Sequence, residues 1–276
     1  MKAALIQLCS GDDPAANLAV TAAYVHEAAD AGADLILTPE VTNCVSASRA
    51  RQEEVLTLED VDITLAALRG LAAERSIWLL IGSLAIKTGD PDGRFANRSY
   101  LIGPDGDIMS RYDKIHMFDV TISETENYRE SAGFRPGPQA VLADTLWGRI
   151  GMTICYDVRF PHLYRNLAQQ GASILTVPSA FSAVTGAVHW HTLLRARAIE
   201  TGAFVLAPAQ TGAHAASIGK PRQTYGHSLA VSPWGEVLAD GGTAPGTIYV
   251  DLDMSEVAQA RDCIPALMHD PKFGGP

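Results

Sequence analysis

Three side chains stand out for what they could do together: the carboxylate of Glu40, the ammonium of Lys114 and the thiol of Cys155. Cysteine attacks as its thiolate, and an unperturbed thiol with a pKa of about 8.5 is mostly protonated at neutral pH. A neighbouring base must take the proton, and a carboxylate in a dry pocket can have its pKa raised into the useful range. That is the expectation for Glu40. Attack on a carbonyl carbon leaves negative charge on its oxygen, which a fixed ammonium such as Lys114 stabilises where the dielectric is low. Together the three could cleave an amide through a thioester without a histidine. Each also has a plain structural alternative: Cys155 as a small buried hydrophobe, Lys114 as a solvated loop cation, Glu40 as a helix-start carboxylate.

The elements that must position them are legible as apolar runs. Glu40 follows the strand pattern Asp34–Thr38, Lys114 follows Ile108–Tyr112, and Cys155 closes Arg149–Cys155. Catalytic groups in α/β folds tend to sit just past the carboxyl ends of buried strands. Further strands are expected at Ala3–Leu8, Ile77–Ile81, Asn97–Ile102, Ser173–Val177, Ala203–Ala207, Gly226–Val231 and Thr247–Leu252. Gly103-Pro-Asp-Gly106 marks a hairpin between two of them. Helical spacing and end signals predict helices over Pro14–Ala31, Asp60–Arg75, His162–Gln170 and Gly186–Thr201. Strands alternate with helices, and several strands are apolar throughout, which means sheets covered on both faces. No linker, low-complexity segment or clear repeat divides the chain, so one α/β domain over residues 1–276 is expected, with a tail from about 265.

Composition narrows the partners. The 276 residues are 47% hydrophobic and 19% charged, as in a globular protein with a large core. A formal net charge of −10 disfavours non-specific binding to nucleic acid or anionic membrane. It also means that an anionic substrate needs arginines placed locally in its pocket. Cys9, Cys44, Cys155 and Cys263 have neither CxxC nor metal-ligand spacing, so no disulfide framework is expected and a reducing cytoplasm is the simplest location. The run Ala3–Cys9 is too short for a signal-peptide core, and no apolar stretch approaches the roughly 20 residues of a membrane helix.

The sequences around the three side chains resemble a family. Leu37-Thr-Pro-Glu40, Tyr112-Asp-Lys-Ile-His-Met-Phe-Asp119 and Gly151-Met-Thr-Ile-Cys-Tyr-Asp-Val-Arg-Phe-Pro161 are similar, in order, to the signature blocks of the nitrilase superfamily of carbon–nitrogen hydrolases. The likeness runs from Ala3 to about Pro265. Pro178-Ser-Ala-Phe181, Thr185-Gly-Ala-Val-His-Trp190, Leu193 to Glu200, Tyr225-Gly-His-Ser228 and Pro233-Trp-Gly235 resemble its Nit branch. Within that branch, Ala209-Gln-Thr-Gly-Ala-His214 tilts the likeness toward deaminated-glutathione amidases, with ω-amidases next.

The resemblance implies a four-layer αββα sandwich, a homodimer or larger homo-oligomer, and neither metal nor organic cofactor. It implies that Cys155 is the nucleophile, Glu40 the general base and Lys114 the oxyanion-stabilising cation. Glu130 matches a second glutamate that hydrogen-bonds near the lysine, and the backbone N–H of Tyr156 would be another oxyanion donor. The implied reaction is hydrolysis of a small carboxamide, with deaminated glutathione the first substrate and 2-oxoglutaramate the second. A nitrile-hydrolysing enzyme and a non-catalytic binding module are the alternatives. Three departures bear on substrate: His162 where relatives carry glutamate, Asp113 where they carry arginine or histidine, and a longer Ala213–Gln223 loop.

Other residues have two readings each. Arg159, four residues past Cys155, could hold a substrate carboxylate bidentately or form an ion pair with Asp157 or Glu200. Phe181, Thr185 and Trp190 could line the pocket or belong to the core, and Arg195 and Arg197 read as structural. His189-Trp-His191 invites a metal, but an i, i+2 pair on a helix points in different directions. His214 and His227 read as pocket-rim or structural polar groups, and Gly241-Gly242 as a turn.

Overall fold

The computed structural model describes residues 1–122, 127–269, 271 and 274–275, so part of the expected tail lies outside the described residues. The first half of the chain runs β1 (Lys2–Gln7), α1 (Pro14–Asp30), β2 (Leu35–Leu37), α2 (Arg49–Val55), α3 (Ile63–Arg75) and β3 (Trp78–Lys87). It continues through the hairpin of β4 (Phe95–Ile102) and β5 (Ile108–Asp113) to a small ribbon of β6 (Asp119–Thr121) and β7 (Asn127–Arg129). The second half begins β8 (Val141–Thr145), β9 (Gly148–Met152), α4 (Pro161–Gln169), β10 (Ala172–Thr176), α5 (Ala183–Thr201) and β11 (Phe204–Ala207). A second ribbon, β12 (Thr211–Ala213) with β13 (Gln223–Tyr225), precedes β14 (Leu229–Val231), β15 (Val237–Asp240), β16 (Gly246–Asp251) and α6 (Ser255–Cys263).

Among the described residues the strands form two six-stranded mixed sheets, β16-β1-β2-β3-β4-β5 and β15-β14-β11-β10-β9-β8. The centre of each is parallel: β1, β2 and β3 in the first, β9, β10 and β11 in the second. Such strands are covered on both faces, which is why they are apolar throughout. Leu35, Ile36 and Leu37 of β2 are all fully buried, each contributing about 1.5–3 kcal/mol relative to exposure. One core cluster joins the inner faces of the two sheets (Leu5, Leu37 and Leu80 with Ile150, Ile174 and Phe204) and continues onto Leu167 of α4 and Leu194 of α5. A second packs the outer face of the first sheet on α1 and α3 through Ile6, Ile36 and Leu79 against Val25 and Leu68. The layers are therefore helix, sheet, sheet, helix.

Local chemistry sets the element ends. Asp13 caps α1 by accepting from Ala15 N and Ala16 N, with Pro14 opening the helix. Asp62 caps α3 by accepting from Leu65 N at 2.9 Å, and the expected helix start at Asp60 is instead a 3₁₀ turn over Glu59–Val61. The strand expected over Gly226–Val231 shortens to Leu229–Val231, because Gly226 (φ +77) and His227 (φ +55) are left-handed. The strand expected to reach Cys155 ends at Met152, and Cys155 starts a 3₁₀ turn.

Gly82, inside β3, shows how tightly the strand ends are drawn together. A Cβ there would lie 2.0 Å from Thr38 O, 2.5 Å from Pro178 Cβ and 2.6 Å from Pro39 O. Those neighbours belong to the segments that carry Glu40 and follow β10. Gly70, in α3, has nothing within 4 Å of such a position. Gly82→Ala is therefore expected to lower stability by at least about 1–3 kcal/mol, whereas Gly70→Ala is expected to raise it by about 1 kcal/mol. Urea unfolding of both variants checks the pair.

Candidate active site

The turn after β2 is clamped by Ser83, whose N–H donates to Pro39 O at 3.2 Å and whose hydroxyl oxygen accepts from Val41 N at 2.8 Å. Val41 is held at φ +48, an unusual conformation for a β-branched residue, and this aims Glu40 inward. Lys114 leaves β5 with its N–H donating to Asn97 O and its carbonyl accepting from Gly137 N at 2.7 Å. No side chain fits at Gly137, where a Cβ would stand 2.1 Å from Asp113 O. Cys155 leaves the second sheet at φ +49, its N–H donating to Pro178 O at 3.0 Å. Its turn is pinned by the buried carboxylate of Asp157, which accepts from Ile154 N, His116 N and the Tyr112 hydroxyl.

These turns meet in one cavity of about 410 Å³ lined by Glu40, Lys114, Glu130, Cys155, Tyr156, Phe181 and Thr185, among others. Lys114 Nζ donates to Glu40 Oε1 at 3.0 Å and to Glu130 Oε1 and Oε2 at 3.0 and 2.9 Å. Lys114 is only 2% exposed and Glu40 4%, so both charges are taken out of water and must compensate each other. Further donors complete the network. Asn97 Nδ2 reaches Glu40 Oε1 at 2.8 Å, Ala180 N reaches Glu40 Oε2 at 2.7 Å, and Phe118 N reaches Glu130 Oε2 at 2.6 Å.

The electrostatics correct one expectation. Burial does push the Glu40 pKa up, but the charges of Lys114 and Arg222 with the hydrogen bonds pull it down further, so it lies below its ordinary 4.5. Burial pushes the Cys155 thiol well up, and the adjacent Glu40 carboxylate, its hydrogen-bond partner, adds to that more than Lys114 relieves it. Burial opposes the Lys114 charge, but Glu130 and Glu40 outweigh it and hold the ammonium protonated. The resting site is thus a carboxylate, an ammonium and a neutral thiol.

Arg159 does not line this cavity. Its guanidinium meets His189 Nδ1 at 3.3 Å and lies over the Phe181 ring at 5.3 Å, with neither expected ion pair formed. Asp157 is already occupied, and Glu200 pairs with Arg197 at 2.6 Å. Trp190 is buried with its Nε1 donating to His227 O, and belongs to the core. The departures have structural partners: Asp113 receives Arg98 bidentately at 2.6 and 2.9 Å, and His162 packs edge-on to His116 and Phe160. His214 is buried, bonded to Ser10 O and the Thr224 hydroxyl, and burial lowers its pKa to about 4.

The cavity also has residues that the sequence reading did not single out, chiefly Asn97 and Arg222. A polar residue inside the apolar β4 run was the signal for Asn97, and the Lys220–Gln223 charge cluster that for Arg222. Metal-ligand chemistry gathers, among the described residues, at His191, His227 and Asp240, whose ligand atoms lie within 4.8 Å of one another. None of them lines the cavity. Asp240 already accepts from both rings at 2.9 Å, while His189 turns to Arg159. No helix among the described residues is long and apolar enough to cross a membrane.

With this geometry in place, likeness to known proteins becomes informative. The profile of the carbon–nitrogen hydrolase family matches residues 2–262. The chain is 37% identical over 268 residues to a deaminated glutathione amidase of Yersinia enterocolitica, covering 97% of this chain and 92% of that protein. It superposes on Saccharomyces cerevisiae Nit3, a member of branch 10 of the nitrilase superfamily, with a TM-score of 0.82 at 29% identity, covering 96% of this chain and 94% of that one. It is also similar to an amidase of Nesterenkonia sp. AN1 bearing the acetamide moiety of fluoroacetamide on its active-site cysteine. There the TM-score is 0.77 at 27% identity, with 95% of this chain and 94% of that one covered.

The ion chain makes an energetic prediction. Lys114→Met leaves the buried Glu40 facing the partly buried Glu130 without the ammonium between them and is expected to cost about 3–5 kcal/mol at pH 8. Without Lys114, burial and the like charge raise the Glu40 pKa above its unfolded value. The penalty is then full at high pH and shrinks as pH falls through the raised value. Urea unfolding of wild type and variant at pH 8 and pH 5.5 checks both size and sign.

Proposed function

We propose that this chain, which belongs to the carbon–nitrogen hydrolase family and is an amidase, cleaves a small carboxamide to a carboxylate and ammonia, or an amine where the amide is N-substituted, through a thioester on Cys155. The observation that carries the reading is the shared cavity in which a neutral thiol stands beside an ionised, ammonium-paired carboxylate. Cys155 Sγ attacks the carboxamide carbon as its proton passes to Glu40. The oxyanion is met by Lys114 and by the backbone N–H of Tyr156. Collapse breaks the C–N bond, and Glu40 gives the proton to the departing nitrogen, which leaves as ammonia or as the amine. Water then attacks the thioester, Glu40 takes a proton from it, and the thiol leaves with that proton as the free acid forms. Glu130 holds Lys114 in place throughout.

The covalently modified cysteine of the Nesterenkonia amidase supports the nucleophile assignment, and the names of the relatives support the substrate. Deaminated glutathione is the first choice and 2-oxoglutaramate the second, both 2-oxo acids with a γ-carboxamide, the former an N-substituted one. Deaminated glutathione would release the Cys-Gly amine where 2-oxoglutaramate releases ammonia. Nitrile hydrolysis by the same three groups is the rival, which assaying a nitrile beside its amide separates.

Wild type is expected to cleave at least one of the two 2-oxo amides, read as ammonia or Cys-Gly, and Cys155→Ala neither; activity surviving that change would end the proposal. A second expectation concerns pH. Because the Glu40 pKa is depressed, the carboxylate persists as pH falls, so the acid limb of kcat/KM lies below 4.5. A limb between pH 6 and 7 that Glu40→Asp displaces would show the base to be raised instead.

A further inference from the structure

A second group of reactive side chains gathers outside the cavity, where α5 packs against the edge of the second sheet. His191 lies on α5, His227 in the left-handed turn before β14, and Asp240 at the end of β15. Asp240 Oδ2 meets His191 Nε2 at 2.9 Å, and Asp240 Oδ1 meets His227 Nδ1 at 2.9 Å. The helix separates His191 from His189, which turns to Arg159, and delivers it to two residues distant in sequence. As hydrogen-bond partners, both rings present an N–H to one carboxylate. Moving each ring proton to its other nitrogen turns the same atoms into two lone pairs and an anion facing one point.

Neighbouring groups hold the set in place. Gly242 N donates to Asp240 Oδ1 at 2.8 Å, and His227 N donates to Gly242 O at 2.6 Å. The Tyr225 ring stacks on His227 with centroids 4.5 Å apart, and the His191 ring meets both edge-on. Trp190 Nε1 donates to His227 O, so the residue next to His191 fixes the turn that carries the second ring. Hydrogen bonding to a ligating carboxylate and fixed ring orientation are the support that a metal site needs. The side chains of His191, His227 and Asp240 are 36%, 23% and 34% exposed, which admits an ion and leaves a position for water.

We propose that His191, His227 and Asp240 bind a divalent transition-metal ion, Zn²⁺ first, which clamps α5 to the β14–β15 edge of the second sheet. Two imidazoles with one carboxylate suit Zn²⁺, Ni²⁺ or Cu²⁺, whereas Mg²⁺ and Ca²⁺ take mostly oxygen ligands. Bonds of about 2.0–2.2 Å at tetrahedral angles set ligand atoms about 3.3 Å apart. The two 2.9 Å contacts open slightly to reach that spacing, and the three ligand atoms already lie within 4.8 Å of one another. A net charge of −10 favours the approach of a dication. The clamp stands apart from the reaction assigned to the cavity, since none of its three residues lines that cavity.

The test is equilibrium dialysis of the full chain against Zn²⁺, Ni²⁺ and Mg²⁺ in turn, followed by metal analysis and thermal unfolding. Thiols also take zinc, so Cys155→Ala is dialysed beside the wild type. Both are expected to retain one Zn²⁺ or Ni²⁺ per chain and no Mg²⁺, with Tm rising as the free ion is raised. His191→Ala and Asp240→Asn are expected to lose more affinity than the about 10–100-fold that removal of a merely supporting partner costs, and to lose the rise in Tm. His189→Ala is expected to behave as wild type. If Asp240→Asn does not fold, His191→Ala, a change at a half-exposed helix position, carries the test. An ion absent from wild type, retained with undiminished affinity by His191→Ala, lost with Cys155, or matched by Mg²⁺ overturns the clamp.

Discussion

A buried ammonium between two carboxylates is the constraint on which the rest of the site depends. Each ion removed from water costs several kcal/mol even after relaxation, and only close partners with complete hydrogen bonding repay that. The Glu40–Lys114–Glu130 chain meets the condition with donors drawn from distant segments: Asn97 of β4, Ala180 after β10 and Phe118 before β6. The same chain fixes the protonation states. With Glu40 ionised against the thiol, a resting thiolate would be a second anion beside the first, and the proton stays on sulfur. In the proposed reaction the thiolate is therefore made only as the carboxamide arrives, and a thiol that stays protonated at rest is less prone to oxidation.

Holding that arrangement requires backbone that ordinary sequences avoid. Val41 and Cys155 are both left-handed, and such residues cost of order 1–3 kcal/mol each, persisting only where the surroundings over-determine them. Here the surroundings do. Ser83 holds the first turn from two sides, Pro178 O holds the second, and the absence of a side chain at Gly82 lets Thr38, Pro39 and Pro178 close on the same spot. The outcome is a carboxylate from the first sheet facing a thiol from the second.

Much of this was legible in the sequence, for definable reasons. The parallel strands β2, β9, β10 and β11 announce themselves because burial on both faces makes them apolar throughout. The short or exposed elements α2, β8 and β15 lack that signal and were not expected. Glu40 and Cys155 could be named because each follows such a strand, and Lys114, at the end of the half-exposed antiparallel β5, because its neighbours, like theirs, match family blocks. What failed was anything depending on three-dimensional neighbours. Burial alone gives the wrong direction for Glu40, whose paired cation decides it. Closeness in sequence also does not place a side chain in the cavity: the 3₁₀ turn after Cys155 carries Arg159 to His189, while Arg222, 67 positions beyond Cys155, reaches the cavity wall beside the β12–β13 ribbon.

The location of the cavity follows from the layering. Glu40 and Lys114 project from the first sheet, Cys155 from the second, and Arg222 and Thr185 from the ribbon and helix beyond it. The separation of the Glu40 carboxylate from the Cys155 thiol is therefore set by the packing of two sheets through one shared core and not by any single loop. Protein interiors pack as densely as organic crystals and deform little. A core of Leu37, Leu80, Ile150 and Ile174 thus acts as a spacer for the chemistry at its edge. The cavity wall around Arg222 hangs on the ribbon instead, tied to the first half of the chain through bonds such as Ser217 to Asp12. The spacing of Glu40 from Cys155 and the far wall of the cavity are thus carried by different parts of the fold.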